Sequence, residues 1–89
     1  MFAIFRTKGN STQDISFDCE AFEYYTSKKI AENIAENIVD ELIEIWSQRD
    51  GIRHPWYESK FHVENVSEDY IRRKNEAYSI IMANIEMAM

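Results

Sequence analysis

The chain has 89 residues, 45 % of them apolar and 13 % aromatic, with only two glycines and one proline. It is too short for more than one domain and too apolar for a disordered segment, so residues 1–89 are expected to form a single acidic α+β domain. Sixteen acids against ten bases leave a formal charge of −6, which disfavours nonspecific adhesion to nucleic acid or to an anionic membrane and favours basic partners.

The negative charge is concentrated in the first half. Residues 1–48 hold nine acids and four bases, whereas residues 49–89 hold seven acids and six bases. Cys19 is the single cysteine, so an internal disulfide is excluded, and a lone thiol suits a reducing, cytoplasmic compartment.

The opening MFAIFRTK has no basic region followed by a long apolar core, and so does not read as a signal peptide. It reads as a strand apolar on both faces, because Phe2 and Ile4 oppose Ala3 and Phe5. Such a strand lies centrally in a sheet or has its second face covered. Gly9 to Thr12 form a turn cluster. Ile15, Phe17 and Cys19 then alternate with Ser16, Asp18 and Glu20, which predicts a second strand closing a hairpin.

Thr26 or Ser27 is placed to cap a long helix running to about Gln48. Within it, IAENIAENIVDELIEIW (residues 30–46) counts in fours. Four residues of α-helix turn ~400°, so each repeat drifts by ~40°. The pairs Ile30/Ala31, Ile34/Ala35, Ile38/Val39 and Leu42/Ile43 therefore form a slanted ridge of core residues. Glu32, Glu36, Asp40 and Glu44 follow the same count as an acidic row, with Glu41 beside it. Like charges at this spacing cost roughly 0.2–0.5 kcal/mol per pair, and Lys28, four residues before Glu32, offsets part of that. Interspersed lysines would serve solubility as well, so the row is predicted to be exposed and to serve a basic partner. The plainer alternative is a solvated helix face.

Residues 49–57, RDGIRHPWY, must form a loop. His54, Trp56 and Tyr57 in it make either an aromatic recognition site or a plug for the end of a small core. Alternation returns over Glu58 to Glu64, with Ser59, Phe61 and Val63 on one face of a third strand. Asn65 and Glu68 resemble a capping box for a last helix, whose inner stripe is Tyr70, Ala77, Ile81, Ile85 and Ala88. Ile80, Ile81, Met82, Ala83, Ile85, Met87 and Met89 surround its end on more than one side. A helix apolar all round is buried all round, which predicts self-association through Ile80, Ile81, Ile85 and Met87. Arg72, Arg73 and Lys74 balance Glu68, Asp69 and Glu76 on the same helix.

The element order is ββαβα: an α+β fold with a small three-stranded antiparallel sheet and two helices on one face. His54 and His62 stand eight residues apart and far in sequence from Cys19, which matches no metal-ligand spacing and no nucleophile–base arrangement. No glycine-rich phosphate loop exists. Neither cofactor nor metal nor catalysis is expected. The reading is a small interaction protein, an inhibitor that docks its acidic helix and aromatic loop on a basic protein, one that itself binds nucleic acid being the natural target. Virus- and plasmid-encoded inhibitors of host defence are of this type. Two alternatives are a homodimeric adaptor joined through its last helices, and a nucleic-acid module using Arg49, Arg53 and Arg72 to Lys74 with Trp56 and Tyr57. The net charge speaks against the latter.

Overall fold

In the computed structural model, which describes residues 1–88, a three-stranded antiparallel sheet is built from β1 (Phe2–Lys8), β2 (Ser11–Asp14) and β3 (Lys60–Asn65), in the order β2-β1-β3. The doubly apolar β1 is the central strand, with Phe5 opposite Asp14 on one side and Ile4 opposite Val63 on the other. Gly9 adopts φ +60 in the hairpin turn, a conformation that costs a residue without a Cβ little.

The second strand is shorter and earlier than the alternation predicts. Ile15–Asp18 is a single helical turn, α1, capped by Asp14, whose carboxylate accepts from the Phe17 amide at 3.2 Å. The spacing Ile15/Cys19 fits one helical turn as well as it fits a strand, and the capping carboxylate decides between them. The β1 backbone left without β2 finds other partners. The Ile4 amide donates to the buried Ser16 hydroxyl at 2.8 Å, and Phe2 exchanges two backbone hydrogen bonds with Tyr25.

The long helix forms as expected, as α2 (Lys28–Asn33), a π-turn (Ile34–Ile38) and α3 (Val39–Asp50) in unbroken succession. Ser27 is the cap, its hydroxyl accepting from the Ile30 amide, and Gly51 ends the helix in the left-handed region at φ +69. The π-turn is marked by the Val39 amide donating to the Ile34 carbonyl, five residues back. One extra residue in a turn takes back roughly 100° of rotation. An uninterrupted α-helix would drift ~120° between Ala31 and Ile43, so ~20° remains. Ala31, Ala35, Val39 and Ile43, four residues apart, are accordingly all buried. The ridge runs straight rather than slanted, and it is half as wide as the sequence suggests. Ile34 and Leu42 flank the core half-buried, whereas Ile30 and Ile38, and Ile45 beyond them, stand exposed.

Two apolar clusters sandwich β1. Ile4 packs with Ile15, Phe22, Ala35, Val39 and Ile43 under the long helix, while Ala3 and Phe5 pack with Val66, Tyr24, Tyr70 and Ile71. Neighbouring strand residues point to opposite faces, so the last helix, α4 (Glu68–Ala88), starts on the face opposite α3 rather than beside it. Its cap is Ser67, which accepts from the Tyr70 amide; Asn65 belongs to β3. After Tyr70 and Ile71, α4 crosses α1, where Tyr78 meets Phe17 edge-on at 5.8 Å and Lys74 sits over Phe17. Ala77, Ile81 and Ile85 do not form an inner stripe: all three are exposed. Ala88's side chain and Met89 lie outside the described residues. No helix of the described residues is long and apolar enough to cross a membrane.

Candidate functional site

The straightened helix places its acidic row beside β3. Because α3 runs opposite to β3, successive acids pass successive residues of the strand in reverse. Asp40, Glu41 and Glu44 line a hollow of about 600 Å³ together with Trp56, Tyr57, Glu58, Ser59 and Phe61. Glu32 and Glu36 line a smaller hollow with Phe61, His62 and Val63. The four members of the row thus border two neighbouring hollows that meet at Phe61. Glu36, Asp40, Glu41 and Glu44 are exposed, and Glu32 is half-buried, its carboxylate 3.7 Å from the Lys28 ammonium. Among the described residues, the larger hollow is lined by four carboxylates and by no lysine or arginine.

The loop after α3 forms the other wall, held by tight backbone turns. Tyr57 and Ser59 donate to the carbonyls of His54 and Trp56, the His54 amide donates to the Ser47 hydroxyl, and the Trp56 amide donates to His54 Nδ1. Glu58 adopts φ +67, a left-handed conformation uncommon for a side chain with a Cβ. Trp56 closes the end of the core and still borders the hollow. Its ring packs on Trp46, Phe22 and Phe61 at centroid distances of 5.7, 6.2 and 6.1 Å, and it also lines the groove. Arg6 from β1 lies 5.7 Å over it.

Tyr57 joins the two walls: its hydroxyl donates to the Glu44 carboxylate, and Arg53 sits 4.7 Å over its ring. The hydrogen bond to Glu44 raises the Tyr57 pKa above its ordinary value, so the phenol stays a donor. The groove can therefore take a cation against an aromatic face with carboxylates around it, an arrangement that stabilises an ammonium or guanidinium by charge and by the ring quadrupole.

The remaining candidates are dispersed. His54 is fixed in the loop, His62 stacks on Phe5 and pairs with Glu64, and Cys19 packs half-buried against the Ile4 cluster. Among the described residues, no three His, Cys, Asp or Glu side chains converge in a way that could hold a metal ion. Arg49 pairs with Asp50, Arg53 with Glu58, and Arg72 and Arg73 with Asp69. Ile80, Ile81, Ile85 and Met87 are all solvent-exposed. One feature escaped the sequence reading. The buried Asp14 accepts from the hydroxyls of both Tyr24 and Tyr70 at 2.8 Å, tying β2, the segment before α2, and α4 together. Three residues so far apart in sequence leave no local signal. Comparison with known proteins finds no family model, no curated protein and no solved structure that matches this chain.

Proposed function

We propose that this protein is a non-catalytic binder that docks on a basic surface of another protein and blocks it. The contact uses the acidic row and the aromatic loop together. The observation that carries the reading is their convergence on one hollow, with Asp40, Glu41 and Glu44 opposed to Trp56, Tyr57, Glu58 and Phe61. Carboxylates supply attraction and orientation, and aromatic anchors supply desolvated contact. A basic protein that itself binds nucleic acid is the natural target, because its phosphate-binding cations would meet carboxylates instead.

Trp56 lines this site and Trp46 packs against it at 5.7 Å, so tryptophan fluorescence reports occupancy. Titration with a lysine-rich peptide is expected to give a saturable change that weakens strongly toward about 0.5 M salt, where screening is effective within a few ångströms. The charge-reversed variant E36K/D40K is expected to keep the fold and lose the binding. Absence of saturable binding by the unaltered protein, or equal binding by the variant, overturns the reading.

A second reading is a homodimeric module. It is favoured by the row of exposed Ile80, Ile81, Ile85 and Met87 on the part of α4 beyond Tyr78.

A further inference from the structure

The groove has a floor as well as walls. β3 is an outer strand, paired only with β1, so one side of its backbone offers N–H and C=O groups to no other strand among the described residues. The smaller hollow is lined by Phe61 and Val63, which belong to the face under the long helix, and also by His62, which stacks on Phe5 on the opposite face. A hollow reached from both faces of one strand wraps that strand's free edge. The acidic row runs along this edge, from Glu32 and Glu36 beside residues 61–63 to Asp40 and Glu44 beside residues 56–61.

Resting on the reading above, we propose that the partner contributes an extended basic segment that adds to the sheet as a fourth strand along β3. Its alternate lysine or arginine side chains point at Glu32, Glu36, Asp40 and Glu44. Two repeats match. Side chains on one face of a strand recur every ~6.8 Å, and carboxylates four residues apart on a helix recur every ~6 Å. Glu32 and Glu36 flank β3 itself, while Asp40 and Glu44 flank the residues that lead into it, so the added segment runs on past Lys60 beside residues 56–59. The π-turn is required for this, because without it the row would swing by ~120° around the helix and leave the edge after its second member. Strand addition supplies affinity through backbone hydrogen bonds and specificity through the alternate side chains. At the 56–61 end, the cation opposite Glu44 also meets the Tyr57 ring.

The experiment compares three synthetic peptides of roughly eight residues, a length sufficient to cover β3. The first alternates lysine with threonine. The second has the same composition with its lysines grouped at one end. The third is the first with alternate backbone amides N-methylated on the pairing edge. The alternating peptide is expected to bind about tenfold more tightly than either of the others, since each removed ladder hydrogen bond weakens binding several-fold. It is also expected to slow amide hydrogen exchange in Lys60–Asn65 selectively. Equal affinity for all three, without protection of these amides, overturns strand addition while leaving the basic-partner reading intact. Failure of all three to bind overturns both.

Discussion

At the scale of single residues, the firmest chemistry is the buried carboxylate of Asp14 with its three donors, the Phe17 amide and the hydroxyls of Tyr24 and Tyr70. Burial, and then the hydrogen bond to Asp14, raise both phenols well above their ordinary pKa of 10.0. In the unfolded chain these tyrosines ionise near 10. The stability they contribute is therefore complete below that pH and is lost as pH rises above it, where the unfolded state gives up protons that the folded state retains. Chemical denaturation midpoints are expected to be flat just below pH 10 and to fall above it. Tyr70→Phe should cost about 1.5–3 kcal/mol at neutral pH, because a buried charged acceptor loses a donor. It should also make the alkaline decline shallower. An unchanged alkaline slope in that variant would detach Tyr70 from the effect. Glu58 offers the opposite kind of test. Its left-handed backbone costs about 1 kcal/mol or somewhat more relative to glycine, and its exposed pair with Arg53 offsets at most about that much. Glu58→Gly should leave the melting temperature unchanged or slightly raised; a clear drop would mean that the Arg53–Glu58 pair holds the loop.

At the scale of elements, the four-residue count and the π-turn explain each other. A sequence repeating every four residues keeps one face toward a flat sheet only if the helix gives back its drift, and the turn at Ile34–Ile38 does so. Asn37 sits in this turn and donates to Asn33 at 2.8 Å on the exposed side. Deleting Asn37 should convert the segment to regular α-helix and leave Val39 and Ile43 facing the core, because the lost residue and the lost π-turn cancel in rotation. An alanine inserted after Asn37 should instead turn Val39 and Ile43 by roughly 100° away from the sheet; their burial stabilises by about 1.5–3 kcal/mol each, so the insertion should lose several kcal/mol and the deletion little. Equal melting of the two variants would refute the alignment argument. Much of the element plan was legible beforehand: a doubly apolar β1, central or covered, a cap at Thr26 or Ser27, a long helix to about Gln48, the loop and the third strand follow from local pattern and turn chemistry. Ile15–Asp18 was not, because a four-residue run cannot separate period two from one helical turn. Nor was the π-turn, since nothing in IAENI distinguishes five-residue from four-residue hydrogen bonding. The acidic row and the aromatic loop could each be named from sequence, but the hollow they share depends on how the long helix, the loop and β3 pack together, which no local pattern encodes.

At the scale of the whole molecule, α4 is the element that this chain leaves unfinished. Ser67 caps it and Tyr70, Ile71 and Tyr78 anchor it, yet beyond Tyr78 the helix carries Ile80, Ile81, Ile85 and Met87 at 63, 55, 48 and 86 % exposure. A small sheet with one face under the long helix and the other under the start of α4 has no apolar surface left to cover them. Ile81 and Ile85 are one helical turn apart and Ile80 and Met87 two turns apart, so they form two short rows roughly 120° apart around the helix, a broad apolar face that a second copy could cover. Burying an isoleucine fully stabilises by about 1.5–3 kcal/mol, which makes pairing of two such helices favourable without any charged contact. Sedimentation equilibrium should therefore show a dimer that persists when salt is raised, because apolar burial is not screened. The basic-peptide complex should weaken under the same change. Ile81→Glu should give a monomer whose sheet, tyrosine cluster and groove are unaltered, since Ile81 touches none of them. Peptide affinity in that variant should match that of the unaltered protein. A monomer at every concentration would end the self-association reading. A dimer that dissociates in salt would place its contacts on the charged groove rather than on α4.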